Sequence, residues 1–409
     1  MFDIDKWQEI FSTIKKNKLR TFLTGFSVAW GIFMLIILLG SGQGLQNGVE
    51  TEFQQDAINS IWLYPGQTSV AHEGYTIGRR VKFTNEDYEQ LKRKIDGIEY
   101  ISSGFNVRGN GIISYNKEYG TFDIISCHPG YGNIENVSIK IGRFINNVDI
   151  DKFRKVTCIG SKVEESLFKN NEDAVGKYIK VSGIPFLVVG VFTDPSERDL
   201  NRIYIPVSTA QKIFNGGNMV NRLSFTTNKS VSESEKMIEK LKIDFAKRHH
   251  YDAEDPKAIY VNNTLKEFQQ FQNLFAGIRL FVWIIGIGTI IAGIVGVSNI
   301  MMIVVKERTK EIGIRKAIGA SPASIIGLIL LESILITGVA GYFGLVLGVG
   351  LLELITPIME SVPFIKAPQA NFSVAVNATI LLIIAGAIAG FVPANKAAKI
   401  KPIVALRDE

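Results

Sequence analysis

No G-x-x-x-x-G-K-[ST] loop occurs anywhere in this 409-residue chain, so nothing in it cradles nucleotide phosphates by the usual glycine-rich route. The nearest text, Val175, Gly176, Lys177 and Tyr178, lacks the first glycine and the hydroxyl. Histidine is scarce. His72, His128, His249 and His250 show no metal-ligand spacing, and neither G-x-S-x-G nor H-E-x-x-H is present. The acidic run from Asp194 to Asp199 reads as turn residues between strands. Catalysis by this chain alone is therefore not expected. There are only two cysteines, Cys127 and Cys158. An oxidising compartment permits a disulfide between them, and two free, buried thiols are the other reading.

Long uncharged runs are abundant. Residues Thr21–Gly40 and Phe281–Val305 carry no charge, Pro322–Leu352 carries only Glu332, and Asn371–Pro393 carries none. A hydrocarbon core of about 30 Å needs about 20 helical residues, which predicts four transmembrane helices, at 21–41, 277–305, 322–352 and 373–393. The first run is too long for a signal-peptide core and no small-x-small cleavage site follows it, so it reads as a retained anchor.

The flanks set the orientation. Lys15, Lys16, Lys18 and Arg20 precede the first run; five basic residues fill 306–321; Lys396, Lys399, Lys401 and Arg407 follow the last run. The loop 353–372 is poor in lysine. By the excess of lysine and arginine on the inner side, both termini and 306–321 are cytoplasmic and 42–276 lies outside. Residues 45–270 hold 29 basic and 29 acidic residues, so the formal excess of +6 sits in the membrane and cytoplasmic parts. The basic balance thus reflects topology, and no nucleic-acid partner is implied.

The fold expected is an α-helical membrane protein with a large α+β extracytoplasmic domain between the first and second spans. Residues 1–20, with Ile4, Trp7, Ile10, Phe11 and Ile14 at helical spacing, predict an amphipathic helix in the inner interface. Thr264 and Glu267 read as a capping box opening a helix whose stripe Phe268, Phe271, Phe275 and Ile278 reaches the bilayer as a stalk. Ser41–Ile58 is a candidate partner stalk, weakened by Gly42, Gly44 and Gly48. In the external domain, strands are predicted at Ile58–Tyr64, from Ile98, at Arg222–Thr227 and at Ala258–Asn262. Helices are predicted from Thr84 to Ile95, with Phe83 and Tyr88 as a hydrophobic staple, and over Ser232–His249, with Ser232 and Glu235 as a capping box. These make two β-α-β pieces bracketing a β-rich insert at about 116–215. The insert's strands are Gly120–Ser126, Val156–Ile159, Tyr178–Val181, Phe186–Val191 and Ile203–Pro206, with a short helix at Ser161–Lys169 and a turn at Ser182–Pro185.

The segment 306–321 interleaves charge and apolar residues: Glu307, Arg308, Glu311, Arg315 and Lys316 among Ile312, Gly313, Ile314, Ala317, Ile318, Gly319 and Ala320. Glu311 and Arg315 form a favourable i,i+4 pair. A short amphipathic helix with a small-residue end suits a shallow groove on a cytoplasmic partner; a solvated loop held to lipid headgroups is the alternative. Glu332 is the one ionisable residue deep in an apolar run, which is costly unless it is paired or protonated. Gly344 with Gly348 and Gly386 with Gly390 give small-xxx-small spacing for close helix approach.

The run from Glu307 to Ser321 closely resembles the signature of MacB/FtsX-type ABC transporter permeases. Residues 17–24 resemble that family's entry to the first span, and 393–407 are similar to its C-terminal tail. Gly142–Phe144, Ile159–Gly160, Val188–Gly190 and Ile203–Pro206 are similar to the MacB-like periplasmic core domain. The resemblance implies a dimeric permease subunit, with the homodimer favoured, that docks a pair of ATP-binding subunits through 306–321. ATP and Mg would then be bound by the partner and no cofactor by this chain. Some relatives carry the ATPase on the same polypeptide; this chain starts some twenty residues before its first span, so a separate ATPase chain is expected. The family's implied mechanism is mechanotransmission, in which ATP cycles move the stalks and external domain. The stalk residues Phe268, Phe271 and Phe275 are the expected couplers. The setting implied is the bacterial inner membrane, with export of antibiotics or peptides, a possible periplasmic adaptor and an outer-membrane channel. Lipoprotein release, or an FtsX-like transducer that activates a cell-wall hydrolase, is the alternative.

Overall fold

A computed structural model describes residues 18–53, 57–107, 111–169, 172–194, 196, 198–359 and 372–402. The amphipathic segment expected in 1–20, most of the loop 353–372 and the tail beyond 402 lie outside the described residues. The chain packs as two compact units. One holds the described residues up to Glu50 and from Asn273 onward, and the other is Thr51–Gln272.

In chain order, α1 (Lys18–Phe53) precedes β1 (Ser60–Pro65), β2 (Phe83–Thr84), α2 (Asn85–Lys94) and β3 (Ile98–Gly104). The middle of the chain forms β4 (Ile112–Tyr115), β5 (Glu118–Thr121), β6 (Asp123–Cys127), α3 (Tyr131–Ile134), β7 (Ser138–Gly142), α4 (Asn147–Asp151), β8 (Val156–Gly160) and α5 (Ser161–Leu167). It continues with β9 (Tyr178–Val181), β10 (Ile184–Thr193), β11 (Arg202–Pro206) and α6 (Val207–Ile213). The chain then returns through β12 (Met219–Val220), β13 (Arg222–Thr227), α7 (Val231–His249) and β14 (Ile259–Asn263). Four helices complete it: α8 (Thr264–Glu307), α9 (Thr309–Ala317), α10 (Pro322–Met359) and α11 (Phe372–Ala398).

Within Thr51–Gln272 the first sheet has the order β14-β1-β13-β3, with every neighbouring pair antiparallel. It follows that β1 runs parallel to β3 and β13 parallel to β14, each pair joined through a helix. Their inward faces bury Ile61, Leu63, Phe83, Leu91, Leu223, Phe225, Leu241 and Phe245. The second sheet runs β5-β4-β9-β10-β8-β11-β6, with β7 on β10. Thr121 ends one edge strand and Asp123 begins the strand at the opposite edge, so the sheet must curl until its edges nearly meet. One continuous strand was expected over Gly120–Ser126. Instead the chain breaks at Phe122, whose N–H donates to Gly111 O.

Local chemistry explains several boundaries. Thr84 and Asp87 form a reciprocal capping box at the start of α2. For α7 the cap is Ser230 with Glu233, and not Ser232 with Glu235. Nor is Thr264 the cap of α8: it lies inside the helix, and Asn263 Oδ1 accepts from Lys266 N. The β9–β10 turn has positive φ at both Ser182 and Gly183, the two-residue geometry that matches strand twist.

Cys158 stands opposite Tyr204 and Cys127 opposite Pro206, on the two flanks of β11. Two strand spacings, about 9–10 Å, separate their backbones, beyond the reach of a disulfide. Both thiols are free and buried.

Among the described residues, three helical stretches are long and apolar enough to cross a bilayer: Gly25–Thr51, Thr264–Glu307 and Pro322–Ile358. The last apolar run forms α11, of 27 residues. Glycines bring these helices together. A Cβ at position 344 would stand 2.2 Å from Ala29 O, and one at 390 would stand 2.7 Å from Ser333 Cβ. Ser333 Oγ donates to Gly386 O at 2.9 Å.

His128 joins the two sheets. Its ring stacks on Tyr88 at 3.9 Å and its Nδ1 accepts from Ser103 N at 3.2 Å. Burial, with Lys92 nearby, pushes its ionisation down to about 4. On acidification the unfolded histidine takes up a proton near 6.5, before the folded one. The stabilising contribution is therefore complete above pH 6.5 and is lost as pH falls towards 4. His128→Gln is expected to flatten this part of the stability–pH curve, read by denaturant unfolding of the purified protein. An unchanged slope would contradict the assignment.

Candidate functional site

The segment 306–321 is built from the inside outward. Helix α8 ends at Glu307, and Arg308 departs from helical geometry, with φ −98 and ψ 13, before α9 begins. Arg308 Nε lies 3.2 Å from Glu311 and its Nη1 lies 3.4 Å from Glu332. Glu332 is 2% exposed, so a cation beside it lowers the cost of burying the carboxylate. Arg315 completes the group, 2.9 Å from Glu311. These charges and Ile312, Ile325 and Ile329 line a cavity of about 350 Å³. At the far end, Gly319 has φ +110, and Ala320 N donates to Arg315 O, a left-handed helix stop. Ser321 and Pro322 then start α10, with Ser324 N donating to Ser321 Oγ.

This frame divides the eleven residues assigned to docking. Ile312 and Gly313 face inward and are buried; Arg308, Glu311, Arg315, Lys316 and Ala320 are half-buried. Lys316 Nζ donates to Ala398 O at 2.7 Å and to Ile400 O at 2.8 Å, satisfying carbonyls at the end of α11. Glu307, Ile314, Ala317 and Gly319 are exposed. Ile314 is 44% exposed and Ile318, absent from the docking set, is 82% exposed. Ile314, Ala317 and Ile318 recur at i, i+3 and i+4, which puts them on one edge of α9 and its C-terminal turn. Ile318 was legible as one of the segment's apolar residues, and this spacing is what joins it to Ile314 and Ala317.

The stalk residues fare differently. Phe268 and Phe271 meet Phe53, the last residue of α1, at 5.4 and 5.3 Å, both edge-on. Phe275 is buried. Phe53 was not foreseen, because the glycines of 42–48 weaken the helix prediction there. Hydrogen bonds from Gln43 to Asn47 and from Gln46 to Glu50 support the turns through them.

A second polar group, which sequence reasoning missed, lies in Thr51–Gln272. Glu135 accepts from Tyr131 OH, from Tyr204 OH at 3.1 Å and from Arg202 Nη1 at 3.1 Å. Burial, together with Glu135, holds both phenols un-ionised far above the usual range. Asp199 also pairs with Arg202, at 2.5 Å. Among the described residues no group of three or more His, Cys, Asp or Glu could hold a metal ion.

The model of the MacB-like periplasmic core domain matches residues 21–241, and that of the FtsX-like permease C-terminal domain matches 283–402. The macrolide export ATP-binding/permease protein MacB of Bdellovibrio bacteriovorus is 29% identical over 99% of this chain and 62% of its own length. Its namesake from Chlorobaculum tepidum is 28% identical over 98% and 61%. This chain thus spans about three fifths of these relatives. Among solved structures, the periplasmic region of MacB from Actinobacillus actinomycetemcomitans is 19% identical, with a TM-score of 0.43, over 54% of this chain and 96% of that one. Taken with the apolar helices, the class is a membrane-embedded permease with a large extracytoplasmic domain. The chain belongs to the MacB-like periplasmic core domain family, joined to an FtsX-type permease domain.

If Arg308 compensates Glu332, replacing Arg308 alone removes the cation that lies beside a buried carboxylate, whereas replacing both removes the charge along with its partner. Arg308→Leu is expected to cost about 3 kcal/mol and the double variant distinctly less, with a coupling of about 1–3 kcal/mol. Thermal unfolding of the detergent-solubilised protein measures this. Strict additivity would contradict the pairing.

Proposed function

We propose that this chain is the permease subunit of an ABC transporter, coupling ATP hydrolysis by a separate ATP-binding subunit to movement of its extracytoplasmic domain. The cargo class we infer is antibiotics, peptides or similar molecules exported from the periplasmic side, the MacB relatives being named for macrolide export. The observation that carries the reading is the exposed edge Ile314, Ala317 and Ile318 on a helix whose other side is fixed by Arg308, Glu332 and Lys316. Apolar residues exposed on a short, braced helix suit a groove on a partner. No phosphate-cradling loop occurs in these 409 residues, and ATP and Mg are assigned outside them, to that partner.

The rest of the scheme follows from the same proposal. Four spans, with α11 as the fourth, put both termini and 306–321 in the cytoplasm of a bacterial inner membrane, and lysine and arginine bias supports this orientation. Two copies of the chain share one pair of ATP-binding subunits. The work is transmitted along α1 and α8, and the contact of Phe53 with Phe268 and Phe271 supports joint movement of their outer ends. A periplasmic adaptor and an outer-membrane channel complete an efflux pathway.

The test separates surface from core. Ile314→Asp with Ile318→Asp is expected to abolish co-purification of the ATP-binding subunit while the chain still inserts and unfolds at its native temperature. Gly313→Leu, at a buried position, is expected to lower the unfolding temperature as well. Undiminished co-purification of the Ile314/Ile318 variant would overturn the docking assignment.

A further inference from the structure

A cavity of about 480 Å³ opens in Thr51–Gln272 between the first sheet and the curled sheet. Its lining includes Trp62, Tyr64, Tyr131, Arg222, Asn262 and Glu267. Arg222 stands opposite Gly104 in the ladder, and its side chain fills the space a Cβ there would occupy, with Nε 2.6 Å from that position. Its guanidinium lies over the Tyr131 ring, 4.6 Å from the centroid. Nε is buried with no hydrogen-bond partner, and among the described residues no carboxylate pairs with this arginine. The charge of the neighbouring Glu135 favours the cation, but its hydrogen bonds go elsewhere. Glu135 is taken by Tyr131, Tyr204 and Arg202.

A guanidinium stacked on an aromatic ring uses its face and keeps its in-plane N–H fork for a planar anion. A buried guanidinium N–H without a hydrogen-bond partner is costly, and a cavity beside it gives room for an acceptor. Aromatic walls from Trp62, Tyr64 and Tyr131 suit an apolar or aromatic body attached to that anion. We propose that this cavity is a binding site for a small ligand bearing a carboxylate or phosphate on an apolar or aromatic body, held by Arg222. The chain end of a peptide, an acylated amino acid and an aryl phosphate share this chemistry. The inference is independent of the export reading, because binding is measured without ATP or any partner.

The experiment uses the full chain in nanodiscs and isothermal titration with N-acetyl-L-phenylalanine, its uncharged amide, and phenyl phosphate. The acid is expected to bind saturably at one site per chain, and the amide about tenfold or more weakly, the scale of a lost charge-assisted hydrogen bond. Arg222→Gln is expected to weaken the acid by a similar factor without altering the amide. Displacement of the acid by phenyl phosphate extends the site to phosphates, and failure to displace it confines the site to carboxylates. No saturable binding of either anion, equal binding of acid and amide, or unchanged binding by Arg222→Gln would each overturn the proposal. If Arg222→Gln does not fold, the acid–amide comparison on the native protein decides alone.

Discussion

A carboxylate almost wholly removed from solvent among apolar helices has to be given a cation, and the contact between Glu332 and Arg308 meets that demand. Its consequences reach beyond the pair. Arg308 is the residue at which α8 stops being helical, so turning its side chain back to α10 coincides with the change of direction into α9. Glu311 and Arg315 extend the same charge group along α9, and Lys316 ties its end to the carbonyls closing α11. With three sides committed, the remaining edge faces outward, and its residues are isoleucine and alanine.

The extracytoplasmic domain uses a related solution with different chemistry. Glu135 binds two tyrosines and Arg202 where Trp62 of the first sheet clusters with Cys127 and Tyr204 of the second and with Tyr131 of α3. Ser60 Oγ accepts from Trp62 Nε1 and donates to Thr264 Oγ1, the first residue of α8, so the root of that helix is bonded into the first sheet. The helix root is thus tied to the junction by hydrogen bonds and ring contacts.

Sequence patterns carried much of this. Tyr178–Val181 and Arg222–Thr227 were legible because alternating apolar residues end in turn chemistry, and Thr84 declared its helix through an aspartate three residues on. Where a motif occurs twice in overlapping register, as in Ser230–Glu233 and Ser232–Glu235, local text alone does not choose; burial of Ser234 under Val231 O and beside Asn263 favours the earlier frame. The interleaved charges of 306–321 were visible, but their division into inward and outward sides was not. It depends on Glu332 and Ala398, partners from other helices. The Glu135 group was illegible for the same reason, since Arg202 and Tyr204 reach it from 67 and 69 residues away. The strand break at Phe122 reflects sheet curling, which no local pattern encodes.

We propose that the outward edge of α9 and the curled sheet lie on opposite sides of one membrane, and this is the element of the proposed function most directly open to test. Single cysteines at Ile318 and at Tyr119, which is 79% exposed on β5, report this directly with a membrane-impermeant maleimide. The native thiols give little background, being buried, with that of Cys158 pushed up to about 12. The account predicts that Ile318→Cys labels in inside-out vesicles only and Tyr119→Cys in right-side-out vesicles only. Labelling of both from the same side would contradict it.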